Sequence, residues 1–227
     1  MLIEFHSLYW DNIPKKQIDS HKTVMDHFEI PINYHQENTN HGLWMDKVFS
    51  KSKSDIIVIF DIDCVPINKN KMLDCITYVK NSRSFLGLAM AANHIRPKSH
   101  IYAGGVFYVV AKECWEKLGR PSFTESRRGD CTEEFTYVAE EFGVRYRCLY
   151  PTTFEREPVE GIWPLGNYGY YGIGTTYDDT VYHLFQSRMG NNLDLFLQRC
   201  DDIVNGTFDN STHIDARTYN YKGNIVP

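Results

Sequence analysis

The segment Asp55-Ile56-Ile57-Val58-Ile59-Phe60-Asp61-Ile62-Asp63 constrains this chain more than any other. Its apolar run is mostly β-branched and shows no polar alternation, the pattern of a strand covered on both faces, as in the middle of a parallel sheet. Such a strand needs further layers above and below it. Two acids stand where it ends, ahead of Pro66. Residues two apart on a strand project to one side, so Asp61 and Asp63 can share one ion at the carboxyl edge of the sheet, where open α/β sheets bind ligands. Hard divalent cations such as Mg²⁺ or Mn²⁺ take carboxylate oxygens and bridge to phosphate. A plainer alternative is that one aspartate opens a turn or caps the helix that follows Lys69. Covering the strand requires neither acid.

The flanking sequence supplies the layers. Residues 2–5 read as a strand and 15–28 as a helix ended by Ile30-Pro31. Residues 32–35 read as a second strand and 41–49 as a second helix. After the central strand come a helix over 71–79, a strand over 85–90, a strand-to-helix unit over 106–118, a helix over 130–142 and a strand over 144–149. This alternation predicts one α/β domain, a mostly parallel sheet flanked by helices, over residues 1–190, with a C-terminal helix and tail packed on it over 191–227. Residues 151–180, rich in Gly, Tyr, Trp and Pro, read as an aromatic loop suited to binding.

At 227 residues with a formal charge of −5, the chain can bury a full core and carries no basic field that would announce a nucleic-acid partner. Its six cysteines are scattered, without the close pairs of a structural zinc site, and are expected to be reduced thiols. The start, Met1-Leu2-Ile3-Glu4-Phe5-His6, lacks the pattern of a signal peptide, and no run of about 18 apolar residues occurs. A cytoplasmic protein without an integral membrane segment is expected, in which the glycosylation-like triplets at Asn205 and Asn210 carry no meaning.

Other residues add candidate chemistry. Asp130-Cys131-Thr132-Glu133-Glu134 opens a helix, and Asp130 or Glu133 can act as a base toward a hydroxyl; the same spacing is a capping-box pattern. Gly104 and Gly105 let backbone approach a ligand closely, or form a bulge. Arg188 and the Arg127-Arg128 pair are candidates to neutralise phosphate. Trp163, Tyr168, Tyr170 and Tyr171 offer stacking surfaces for a sugar or base, or build a satellite core.

Together the strand and its acids resemble the central strand and DxD motif of GT-A glycosyltransferases, particularly the family-2-like enzymes. His41-Gly42 and the helix to Ser50 resemble that family's donor-binding half, while Ala103-Gly104-Gly105-Val106-Phe107 and Trp115-Glu116-Lys117-Leu118-Gly119 resemble its glycine-bearing strand and following helix near the acceptor. The resemblance implies a Rossmann-like GT-A fold and a metal, Mn²⁺ or Mg²⁺, held by Asp61, Asp63 and a late histidine, His183. Donor contacts fall on His6, Tyr9, His41, Asp46, Ile62 and Arg188, and acceptor contacts on Gly104, Gly105 and Trp163. The implied activity is transfer from a nucleotide-sugar donor to an acceptor hydroxyl, inverting if Asp130 is the base. The acceptor stays open among glycan, protein, lipid-linked glycan and modified nucleic-acid base.

Two rivals remain. A nucleotidyltransferase usually carries a glycine-rich, basic loop after its first strand, and Leu8-Tyr9-Trp10-Asp11-Asn12 has neither glycine nor a positive charge. A catalytically silent carbohydrate-binding protein would use the aromatic segment alone.

Overall fold

A computed structural model describes residues 1–92, 100–155 and 161–219 of the chain. The first half alternates strands β1 (Ile3–Tyr9), β2 (Ile32–Gln36) and β3 (Ile56–Phe60) with helices α1 (Lys15–His27) and α2 (His41–Lys51). A short β4 (Cys64–Pro66) leads to α3 (Lys69–Ser82), β5 (Phe85–Met90), β6 (Tyr102–Ala111), α4 (Lys112–Lys117), α5 (Glu133–Glu141) and β7 (Arg147–Leu149). Strands then follow in close succession: β8 (Pro151–Phe154), β9 (Ile162–Leu165), β10 (Gly169–Gly172), β11 (Gly174–Tyr177) and β12 (Val181–Leu184), before α6 (Asn192–Asn205) and β13 (Ile214–Asp215).

The main sheet runs β2-β1-β3-β6-β5-β7. Its pairings make every strand parallel to β3 except β6, which is antiparallel to both neighbours. The mixed, mostly parallel sheet flanked by helices is therefore the architecture expected. β3 is buried along its whole length although one neighbour is antiparallel, so cover on both faces, rather than strand direction, explains its unbroken apolar run. Phe60 meets Phe107 of β6 at 4.8 Å between ring centres. Chain order reverses at β1: β2 lies on one side and β3 on the other, and the C-terminal ends of β1 and β3 border a switch-point crevice.

Residues 151–180 differ from the loop expected. The described residues among them form four strands: β8 and β11 join a second sheet ordered β13-β8-β11-β12-β4, and β9 and β10 pair as a separate hairpin. Thr152, Thr153, Thr175, Thr176, Tyr170 and Tyr171 fit pleated surfaces, while the glycines that broke the sequence pattern sit at turns and close approaches. A Cβ on Gly172, for example, would fall 2.8 Å from the Phe154 ring. β4 is the link between the sheets' functions. It leaves the acidic end of β3 and pairs antiparallel with β12, setting Cys64 opposite His183. Helix α6 packs on α1, and Phe196, Cys200 and Ile203 close a small core with Val24, Val65, Tyr182 and Leu184.

Candidate metal centre and substrate clefts

The turn after β3 and the β4–β12 ladder together build the centre. Leu184 donates its N–H to the Asp63 carbonyl at 3.0 Å, extending the ladder by one step and laying His183 beside the acids. One ligand atom from each of Asp61, Asp63 and His183 lies within 4.8 Å of the others. His183 Nε2 is 3.4 Å from Asp63 Oδ1, and its ring is 3 % exposed. This is a hard-oxygen and imidazole donor set of the kind divalent cations accept.

The electrostatics fit a cation as well. Burial, and then the adjacent Asp63 charge, push the Asp61 carboxyl well above the usual carboxylate range. Burial works to raise Asp63 too, but the His183 ring and the Ser187 hydroxyl outweigh it and hold that carboxyl low. Ser187 Oγ donates to Asp63 Oδ2 at 3.1 Å. His183 Nδ1 is buried without a hydrogen-bond partner among the described residues. Two half-buried carboxylates sharing one pocket repel until a positive charge joins them.

Tyr9, His41, Asp61, Ile62, Asp63 and Arg188 all line one cleft, together with Leu8, Trp10 and Ile13. His41 opens α2, whose N-cap Asn40 accepts the Leu43 N–H. Its Nε2 stands 3.2 Å from Asp61 Oδ1 but is not aligned for a hydrogen bond, and burial holds the imidazole down at about 4. Arg188 lies over the Trp10 ring, 5.9 Å from its centre, and donates to Asn12 Oδ1 at 3.0 Å. A neighbouring cavity of about 740 Å³ shares Trp10 and His41 and adds the amide groups of Asn12, Asn38 and Asn40. In the sequence, Trp10 and Asn38 are marked only by membership of the polar loops that follow β1 and β2.

On the other side, Asp130, Trp163, Tyr102, Tyr171, Phe185 and Gln186 line a cavity of about 400 Å³. Trp163, Tyr171 and Phe185 touch one another, with ring centres 5.5 to 5.8 Å apart. The segment from His183 to Arg188 therefore serves both sides. Gln186, at φ 55, turns the chain so that Phe185 and Gln186 face the aromatic cavity while Arg188 faces the cleft. The Cys131 thiol, raised by burial, is raised further by both Asp61 and Asp130, which sets the two carboxylates in one electrostatic neighbourhood.

Other candidates stand elsewhere. His6 is in mid-strand, its Nδ1 3.0 Å from His35 Nε2, and lines a separate cavity of about 1010 Å³ beside α2. Asp46 accepts from Ser122 Oγ and the Phe123 N–H, at 2.6 and 2.9 Å, and so ties α2 to the loop before α5. Glu133 is 2 % exposed, accepts the Asp130 N–H at 2.8 Å and meets His100 Nδ1 at 2.7 Å. Thr132 takes the position before the helix, so Glu133 reaches back to Asp130 from the helix's first residue. Gly104 and Gly105 lie within β6, where an added Cβ would strike Met90 Sδ at 2.2 Å or Thr132 Cγ2 at 2.8 Å. Arg128 is engaged by Glu134 and Glu141. All six cysteines are free thiols, and no helix among the described residues is long and apolar enough to cross a membrane.

No family model and no curated protein matches this sequence. Solved structures do resemble it. A mutant of Drosophila β-1,4-galactosyltransferase 7 in complex with manganese, UDP-Gal and xylobiose gives a TM-score of 0.47 at 14% identity, covering 85% of this chain and 79% of that one. CMP:2-keto-3-deoxy-manno-octonic acid synthetase complexed with CTP gives 0.43 at 8% identity, covering 65% and 89%. A glycosyltransferase involved in glycosylation of the major capsid of PBCV-1 gives 0.38 at 14% identity, covering 63% and 80%. Glycosyltransferases and nucleotidyltransferases both occur among these neighbours. The likeness is one of architecture and reaches no individual site residue.

Proposed function

We propose that this chain is a metal-dependent glycosyltransferase that moves a sugar from a nucleotide-diphosphate sugar to an acceptor hydroxyl. The observation that carries this reading is the convergence of Asp61, Asp63 and His183 at the switch-point crevice, between a cleft lined by Tyr9, Trp10 and Arg188 and an aromatic cavity that holds Asp130. Asp61, Asp63 and His183 would hold Mn²⁺ or Mg²⁺, which would supply positive charge against the negative charge that builds on the departing diphosphate.

The chain's own residues do the rest. Trp10 and Tyr9 present ring faces to the donor base, with the amides of Asn12 and Asn38 within the adjoining cavity. Arg188 brings a guanidinium to the diphosphate end of the same cleft. Trp163 offers an apolar face to the acceptor, and Asp130 takes the proton from its hydroxyl. The new bond forms between the acceptor oxygen and the anomeric carbon as the bond from that carbon to the diphosphate oxygen breaks. Attack from the face opposite the leaving group inverts configuration. A cytoplasmic setting is part of the same proposal.

Nucleotidyl transfer is the competing reaction. The turn Leu8-Tyr9-Trp10-Asp11-Asn12 argues against it, because it is aromatic and acidic where a triphosphate cradle needs glycines and a cation. The two reactions release different products. Incubation with UDP-, GDP- and CDP-sugars and Mn²⁺ is expected to liberate a nucleoside diphosphate from one of them, and EDTA to stop it. Release of pyrophosphate from a nucleoside triphosphate in the presence of a sugar phosphate would instead establish the rival. Metal-independent binding of free saccharide, without turnover, would identify a silent carbohydrate-binding protein.

A further inference from the structure

Helix α1 stands behind the acidic turn and carries two fully buried polar side chains one helical turn apart, Gln17 and His21. A face that packs beside Val24 and Met25 gains nothing from a buried amide and imidazole unless both are hydrogen-bonded. Both reach the same short stretch. His21 Nε2 lies 3.1 Å from the Cys64 carbonyl, and its Nδ1 lies 2.7 Å from the Tyr34 hydroxyl. Gln17 Nε2 donates to Ser187 Oγ at 2.8 Å and lies 3.4 Å from the Ile62 carbonyl.

Ser187 completes the connection, since its hydroxyl donates to Asp63 Oδ2 at 3.1 Å. The direction of this relay is fixed. A carboxylate only accepts, so the single Ser187 proton points at Asp63, and Gln17 must supply the N–H that Ser187 Oγ accepts. Reversing the Gln17 amide would set its oxygen against the Ile62 carbonyl. The other Asp63 oxygen, Oδ1, is the one 3.4 Å from His183 Nε2. Oδ2 is thus tied toward α1 while Oδ1 stays beside the histidine. Neither Gln17 nor Ser187 has a bulk-solvent role, at 0 % and 2 % exposed.

We propose that Gln17 and Ser187 are positioning residues of the metal centre, acting through Asp63. The proposal rests on the metal-site reading above. The relay fixes the carboxylate's orientation before the cation arrives, so its loss shows as weaker metal binding and not merely as lower stability.

The test is calorimetric titration of metal-stripped protein with Mn²⁺ alone, together with melting in EDTA and in Mn²⁺. Gln17→Leu and Ser187→Ala are expected to fold and to bind Mn²⁺ about 10- to 100-fold more weakly than wild type. Ser187→Thr, which keeps the hydroxyl, is expected to restore most of the affinity. If Gln17→Leu fails to fold, Ser187→Ala carries the test, because it removes a single oxygen outside any helix. Folded variants that match wild-type Mn²⁺ affinity overturn the positioning role and leave the metal site standing. A wild type that binds Mn²⁺ no better than Asp63→Asn overturns the metal site and this inference with it.

Discussion

His183 Nε2 lies 3.4 Å from Asp63 Oδ1 because β12 runs antiparallel beside β4 with His183 opposite Cys64. The second sheet therefore delivers the late histidine to the acids at the end of the first. Removing either ligand should abolish or strongly reduce metal-linked stabilisation. In wild type, Mn²⁺ at 100 times its dissociation constant is expected to stabilise the native state by about 2.7 kcal/mol. Asp63→Asn is expected to show no Mn²⁺-induced rise in melting temperature, and His183→Ala a much smaller one. A full wild-type shift in both variants would remove the centre from the mechanism.

Asp61 should behave differently with and without metal. Burial and the Asp63 charge both disfavour its ionised form, so the metal-free site carries an electrostatic cost. Replacing one carboxylate by a neutral amide of similar shape relieves that cost. Asp61→Asn is expected to melt above wild type in EDTA and below it in saturating Mn²⁺. The reversal of order is the informative result, and differential scanning calorimetry reads it directly.

The family-like layout puts Asp130 ahead of Glu133 as the base, and their surroundings also differ. Asp130 lines the aromatic cavity, whereas Glu133 is bound to the Asp130 N–H and to His100. Asp130→Asn is expected to lower transfer to an acceptor by at least about 100-fold while metal-dependent donor hydrolysis persists, the loss expected of a general base. Glu133→Gln is expected to cost about 1 to 3 kcal/mol of stability, since it weakens a buried charged hydrogen bond. Product assays with and without acceptor, and urea unfolding, check the two halves.

How far the sequence led depended on how local the signal was. β3 and β5 were legible as unbroken apolar runs, and the inward faces of α1 and α2 by their helical period, because burial marks neighbouring residues. Residues 151–180 were not, because β8 pairs with β11 and β13 and β11 pairs with β12, contacts that leave no mark on adjacent positions. The Asp61-Ile62-Asp63 turn was readable from its strand, and Tyr9, His41 and Arg188 from the family-like layout. His6 was misleading by position: it sits within β1, not at its exit, and belongs to the cavity beside α2. Gln17 did leave a signal. It is a polar residue on the same helical stripe as His21, Val24 and Met25, and an inward amide on an apolar stripe asks for a partner.

A buried ion cluster holds α6 and the C-terminal segment against the second sheet, and it predicts an acid transition independent of the metal. Glu155 accepts from Arg199 Nε at 2.7 Å and from the Tyr182 hydroxyl at 3.2 Å, and His213 Nε2 stands 3.2 Å from Oε2 without hydrogen-bond alignment. Burial alone would raise this carboxyl, but His213 and Arg199 overcome it and lower it from 4.5 to about 2. A carboxylate depressed in the folded state stabilises it above the unfolded value, and that contribution is lost as pH falls through the folded one. Glu155 should therefore contribute on the order of 3 kcal/mol at neutral pH. Between pH 4.5 and about 2 the contribution should fade. Urea unfolding of wild type and Glu155→Gln across this range should show two stability curves that converge as the pH drops. Curves that stay parallel down to the acid limit would show that Glu155 is not held by these partners.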